Sequence, residues 1–200
     1  MTTDDNEQHR QRMMRQKEAF EQRRAQAPRE KGLIIVHTGA GKGKTTAALG
    51  LAFRALGQGM KVGIVQFIKG AIPTGEAALA ARLAGLEMHT MGDGFTWNTQ
   101  DRDQDTASAR RAWEQARALL RDPSFDVVIL DELNVVVKHG YLPLDEVLDE
   151  LRRKRDMLHV VVTGRNARNE LIDLADLVTE MKLVKHPYRS GIKAQKGVEF

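Results

Sequence analysis

Cysteine is absent from all 200 residues, which excludes disulfides, thiolate metal sites and a cysteine nucleophile and fits a reducing compartment. Long apolar runs are absent too. Nothing approaches the roughly 20 residues that a membrane span requires, and the opening MTTDDNEQHR has no apolar segment of the secretory kind. A cytoplasmic protein without membrane association is expected. Aromatics are few, two Trp, two Tyr and six Phe, so any that falls outside a periodic apolar pattern is informative. Excess charge is confined to one place. The net charge of +4 equals that of the tail, where Lys182, Lys185, Arg189, Lys193 and Lys196 face only Glu199. A short basic tail without interleaved aromatics is a weak nucleic-acid signal; small polyphosphate ligands explain it equally well, and no nucleic-acid partner is expected.

What is present is ordinary globular material. At 42% hydrophobic and 29% charged, the composition is near the average for folded domains, and a chain of this length buries roughly 70% of its unfolded surface. Residues 1–30 stand apart as a polar extension rich in Gln, Arg and Glu, with Met13, Met14 and Phe20 as its scattered apolar positions. Met13, Lys17 and Phe20 share a face at helical spacing, so this extension is expected to be partly helical or mobile, docked on a partner or left in solvent.

Residues 31–200 read as one α/β unit. The nearly continuous apolar runs 32–37, 61–67, 86–91, 125–131, 158–164 and 176–182 predict strands covered on both faces. Helical patterns occupy 44–56, 76–84, 105–120, 144–154 and 167–174; in the fourth, Leu144, Val147, Leu148 and Leu151 form an apolar stripe behind Pro143. Alternating strands and helices predict a three-layer parallel sheet of about six strands, and the glycine-rich string TGAGKGKTT after its first strand points to the RecA-like P-loop NTPase kind. Ligands of such sheets sit beyond the carboxyl ends of the strands.

The first of those ends carries TGAGKGKTT: Thr38, Gly39, Ala40, Gly41, Lys42, Gly43, Lys44, Thr45 and Thr46. Glycines let backbone N–H groups turn inward around phosphate oxygens, the helix that follows adds its positive end, Lys44 supplies charge, and Thr45 offers a hydroxyl to Mg²⁺. The general pattern has glycine where this chain has Thr38. A second strand end, FDVVILDEL, brings Asp131 and Glu132 together. Adjacent carboxylates there suit a cation bound to phosphates, although a helix N-terminal pair is the simpler structural alternative. No NKxD string specifies guanine, so ATP is favoured over GTP. His37, His89, His139, His159 and His186 have no nucleophilic arrangement around them and receive no catalytic role. Spacing alone does not give the reaction: a P-loop ATPase or phosphotransferase acting at the γ-phosphate and a nucleotide-dependent binding module both stay open.

From His9 to Phe200 the chain resembles the P-loop class of corrinoid adenosyltransferases. The resemblance is carried by TGAGKGKTTAALG (38–50), VGIVQFIKG (62–70), GFTWNTQ (94–100), VVILDEL (127–133), YLPLDEV (141–147), VVTGRNA (161–167), LIDLADLVTE (171–180) and VKHPYRSGIKAQKGVEF (184–200). It implies transfer of the 5′-deoxyadenosyl group of ATP to the cobalt of a reduced corrinoid, with triphosphate released and Mg²⁺ or Mn²⁺ as the metal. It implies that Arg54 and Arg165 join Lys42 and Lys44 on the triphosphate, and that Thr45, Glu132 and Asp131 serve the metal. Phe95 and Trp97 would lie under the corrin ring and displace its lower axial ligand, which makes Co(II) easier to reduce. The resemblance also implies a homodimer, an N-terminal extension folding over the partner's site, and reduced flavodoxin or dihydroflavin as electron donor.

Overall fold

The computed structural model describes residues 3–68, 74–91 and 101–199. Two compact units divide the chain, Met1–Lys31 and Gly32–Phe200. The first contains one helix, α1 (Thr3–Ala25), whose described side chains are all exposed, Met13, Met14 and Phe20 included. Lacking an apolar stripe, such a helix relies on local pairs. Glu7 with Arg10 and Lys17 with Glu21 are two of them.

In the second unit six parallel strands form one sheet: β1 (Ile34–Thr38), β2 (Val62–Gln66), β3 (Leu86–Thr90), β4 (Val127–Asp131), β5 (His159–Thr163) and β6 (Leu177–Glu180). Their spatial order is β3-β2-β4-β5-β1-β6. One strand, β5, therefore separates the strand entering the phosphate loop from the strand ending in Asp131, as a RecA-like sheet requires. The helices are α2 (Lys44–Gly57), α3 (Gly75–Ala80), α4 (Arg102–Arg121), α5 (Leu133–Lys138), α6 (Leu144–Arg152) and α7 (Asn169–Leu174).

Both faces of the sheet are covered. On one, Ile34, Val36, Val128, Leu130, Val160 and Val162 pack with Trp113, Leu119 and Leu120 of α4 and Val147, Leu148 and Leu151 of α6. On the other, Ile35, Ile64, Ile129 and Val161 meet Ala48, Ala52 and Ala55 of α2. Small residues on α2 bring its axis close to the sheet and so place its first turn over the strand ends. Burial is complete along β1, β2 and β4, which is why their runs read as continuously apolar. The edge strand β6 departs from that expectation: all four residues are exposed, with Leu177 at 47%, because it pairs only with β1.

The helix α5 was not legible as such. Its residues LNVVVK extend the apolar run of β4, but Glu132 between them takes φ 62° and turns the chain out of the strand. Among the described residues no helix is long and apolar enough to cross a membrane.

Candidate active site

Register places a row of polar side chains at the carboxyl end of the sheet. Thr90 pairs with Gln66, Gln66 with Asp131, and Thr163 with His37, which in turn aligns with Thr179. Residues in register share a face, so this row lies on the side covered by α2 and underlies the phosphate loop.

The loop is held from behind. Met181, just beyond β6, donates its N–H to the Thr38 carbonyl at 2.8 Å and accepts the Gly41 N–H at 2.6 Å. A Cβ on Gly41 would stand 2.7 Å from the Met181 backbone, so only glycine permits that approach. Gly43 opens α2 at φ 103°, a conformation that costs other residues roughly 1 kcal/mol or more. Thr38 explains its own departure from the usual glycine: its Oγ1 accepts the Ala167 N–H at 3.1 Å, tying the phosphate loop to the loop after β5.

Lys44 is buried, and its Nζ donates to the carbonyls of Gly39 at 3.1 Å and Gly41 at 2.7 Å. Burial pulls its pKa below the ordinary lysine value; the Arg165 charge acts the same way, while Glu132 and Asp131 oppose it. Asp131, 1% exposed, accepts from Thr45 Oγ1 at 2.8 Å and Thr163 Oγ1 at 2.7 Å on one oxygen, and from Gln66 Nε2 at 3.0 Å on the other. Glu132, strained at positive φ, donates its N–H to Thr163 Oγ1 at 2.9 Å. Such strain collects at functional sites.

A cavity of about 530 Å³ opens over the loop. Of the residues singled out by sequence, Gly41, Lys42, Gly43, Lys44, Thr45, Thr46, Glu132 and Arg165 line it together. Arg165 is carried there by a turn in which Gly164 and Asn166 have φ 127° and 57°. Thr38, Gly39 and Ala40 belong to the same loop without lining the cavity, and Asp131 lies beneath it. Arg54 is not brought in: it is exposed in the last turn of α2, on the order of 15 Å along the axis from Lys44 at 1.5 Å per residue. Phe95 and Trp97 fall in 92–100, outside the described residues.

Several members of the site were not foreseen. Gly197, Val198 and Glu199 line the cavity, and Glu199 forms an ion pair with Lys42. Gly75 and Glu76 approach from α3. Gln66 and Thr163 anchor Asp131; the available signal was a polar residue closing an otherwise apolar strand. His37, beside the loop, is 7% exposed with neither ring nitrogen hydrogen-bonded, and burial lowers its pKa. Among the described residues no cluster of three or more His, Asp or Glu side chains could hold a metal by itself.

Comparison with known proteins agrees with this geometry. The family model for ATP:corrinoid adenosyltransferase BtuR/CobO/CobP matches residues 30–200. The chain is 55% identical to a corrinoid adenosyltransferase of Pseudomonas aeruginosa over 193 residues, 96% of this chain and 95% of the relative. It is 51% identical over 199 residues to one from Sinorhizobium, covering 98% and 93% of the two chains. The corrinoid adenosyltransferase of Escherichia coli K12 is 48% identical over 194 residues, covering 97% and 98%. With its phosphate loop, acidic strand end and near-complete coverage in each comparison, the chain belongs to the ATP:corrinoid adenosyltransferase family.

Proposed function

We propose that this enzyme transfers the 5′-deoxyadenosyl group of ATP to the cobalt of a reduced corrinoid and releases triphosphate. The observation that carries the reading is the family match across the entire α/β unit, which bears on the cavity over Lys44 and Arg165. Cobalt(I) contributes the electron pair of the new Co–C bond, the C5′–O bond breaks, and its pair departs on the triphosphate. Because Co(I) is itself a strong nucleophile, the protein need not supply a general base. Its work is alignment and charge.

The roles follow from the loop. Backbone N–H groups of residues 39–46, with Thr46, surround the triphosphate, and Lys42, Lys44 and Arg165 neutralise it. For this Lys44 leaves the carbonyls of Gly39 and Gly41, and Lys42 leaves Glu199. The family resemblance adds Arg54 to these cations, although it is not among the residues lining the cavity.

The donor set fits a hard divalent cation. Thr45 gives its proton to Asp131, which leaves its oxygen lone pairs for a metal, and Glu132 adds a carboxylate at the cavity wall. One or two protein oxygens plus phosphates and water are the usual Mg²⁺ environment. Thr45 and Glu132 would hold Mg²⁺ or Mn²⁺, with Asp131 acting through Thr45. When bound, the metal neutralises charge on the leaving triphosphate.

Phe95 and Trp97 are assigned to the lower face of the corrinoid, where displacement of the axial ligand eases reduction of Co(II). The same family resemblance supports a homodimer, with the N-terminal helix of one protomer covering the site of the other, and reduced flavodoxin or dihydroflavin as electron source in the cytoplasm. Anaerobic incubation with ATP, Mg²⁺ and chemically reduced cobalamin tests the central claim. Adenosylcobalamin with triphosphate is the expected outcome. ADP and phosphate without a corrinoid change would instead identify a hydrolase or phosphotransferase.

A further inference from the structure

The tail brings its single acid to the phosphate loop. From Lys182 to Phe200 the sequence holds five basic residues and one carboxylate, Glu199, and that carboxylate pairs with Lys42. Between residues 187 and 199 every position is exposed except Glu199, whose side chain is 17% exposed, while Val198 beside it is 82% exposed. Ordinary preference runs the other way, with valine inward and glutamate outward. A turn makes the reversal: the N–H groups of Val198 and Glu199 donate to the Gln195 carbonyl at 3.2 and 2.9 Å, and Gly197 takes φ 78°. Glu199 thereby lines the cavity over the loop.

Both lysines of the loop have partners within the chain, but of different kinds. Lys44 donates to the neutral carbonyls of Gly39 and Gly41, whereas the partner of Lys42 is an anion. That is the charge type of the ligand itself. A phosphate chain arriving at Lys42 meets the carboxylate as a like charge in the same cavity, so the two disfavour each other's presence.

We propose that Glu199 is a tethered competitor for the phosphate site: it holds Lys42 in the ligand-free enzyme, is displaced by ATP, and returns to Lys42 as triphosphate leaves. A group on the same chain acts at an effective concentration that no dilution lowers. Apparent affinity for the ligand then falls by the fraction of time for which Lys42 is free. Substrate and product are loosened alike, which raises the KM for ATP and weakens inhibition by released triphosphate. The inference rests on the function proposed above, which makes triphosphate the product.

The test is calorimetric titration of the full-length protein with ATP plus Mg²⁺, and separately with inorganic triphosphate. Parent, Glu199→Gln, Lys42→Met and the double variant are compared. Glu199→Gln is expected to tighten both ligands by roughly two- to five-fold, the range of a partly exposed ion pair, and to lower the inhibition constant of triphosphate in adenosyltransfer by the same factor. In the Lys42→Met background the same substitution is expected to change nothing, because the contact it removes is already gone. Glu199→Ala, measured alongside, should match Glu199→Gln. Binding left unchanged by both Glu199 variants overturns the proposal, and weakened binding overturns it by making Glu199 part of the nucleotide site. Equal tightening with and without Lys42 also overturns it, since general charge repulsion would then be the cause. These titrations need no corrinoid, so they judge Glu199 separately from the transferase reading. ADP and phosphate in place of adenosylcobalamin would overturn that reading, and triphosphate as the product with it, while the affinity cycle still decides what occupies Lys42.

Discussion

Thr45 donates its hydroxyl to Asp131 across 2.8 Å, joining two residues 86 positions apart. The first residue in the helix after the phosphate lysine is thereby oriented by the end of β4. A hydroxyl that gives its proton to a buried carboxylate presents lone pairs to the cavity, so the pair works as a unit.

Thr45→Ser retains that hydroxyl and should keep adenosyltransfer within roughly three-fold of the parent. Thr45→Val removes it and leaves the Asp131 carboxylate short of a donor, a loss on the scale of 1.5–3 kcal/mol for a charged hydrogen bond. A fall in kcat/KM of about 10- to 100-fold is expected. Equal activity of the two variants would refute a role for the hydroxyl.

Lys44 should show opposed effects on binding and stability. Burial disfavours its charged form, and this desolvation cost offsets part of what its hydrogen bonds to the Gly39 and Gly41 carbonyls contribute. In Lys44→Met, binding of both ATP and inorganic triphosphate is expected to fall by on the order of 100-fold. The melting temperature should stay within about 2 °C of the parent or rise above it. Calorimetry checks both, and a large loss of stability would contradict the desolvation argument.

Two histidines make the fold sensitive to acid. His37 and His159 both have lowered pKa values, burial being the main cause in each. His159 also accepts the Leu33 N–H on Nδ1 at 3.1 Å, which protonation there would abolish. The folded state binds these protons less readily than the unfolded chain, whose histidines titrate near about 6.5. The contribution of these two groups to stability is therefore flat above that pH and is expected to fall as pH drops through it. The melting temperature between pH 8 and 5.5 should follow this curve, and His37→Leu should flatten it. A slope unchanged by that substitution would assign the acid sensitivity elsewhere.

Phe95 and Trp97 call for a split assay. With Trp97→Ala, ATP binding and transfer to chemically reduced cob(I)alamin should persist. Transfer starting from cob(II)alamin and a flavin donor should fall by on the order of 100-fold, because the role proposed for Trp97, removal of the axial ligand, serves only that route. Equal losses on both routes would make the tryptophan a general binding contact instead.

Much of this protein was decided locally. Parallel strands were legible in GLIIVH, KVGIVQF and LHVVVTG because burial on both faces leaves no polar alternation. The phosphate loop was legible because glycines, lysine and threonine at fixed spacing act through their own backbone. Asp131 and Glu132 stood out for a similar reason, as carboxylates are costly at the end of a buried strand. What pattern could not reach was everything that depends on strand order. Gln66 and Thr163 converge on Asp131 only because β2 and β5 flank β4. Met181 braces Gly41, and Glu199 reaches Lys42, only because β6 lies beside β1 and the tail returns to the loop. Arg54, named by resemblance alone, lies in the last turn of α2 and is not among the residues lining the cavity. Local chemistry named the parts proposed to touch phosphate; the packing of distant segments decided which side chains support them, since hydrogen bonds across a parallel sheet join residues that sequence spacing keeps far apart.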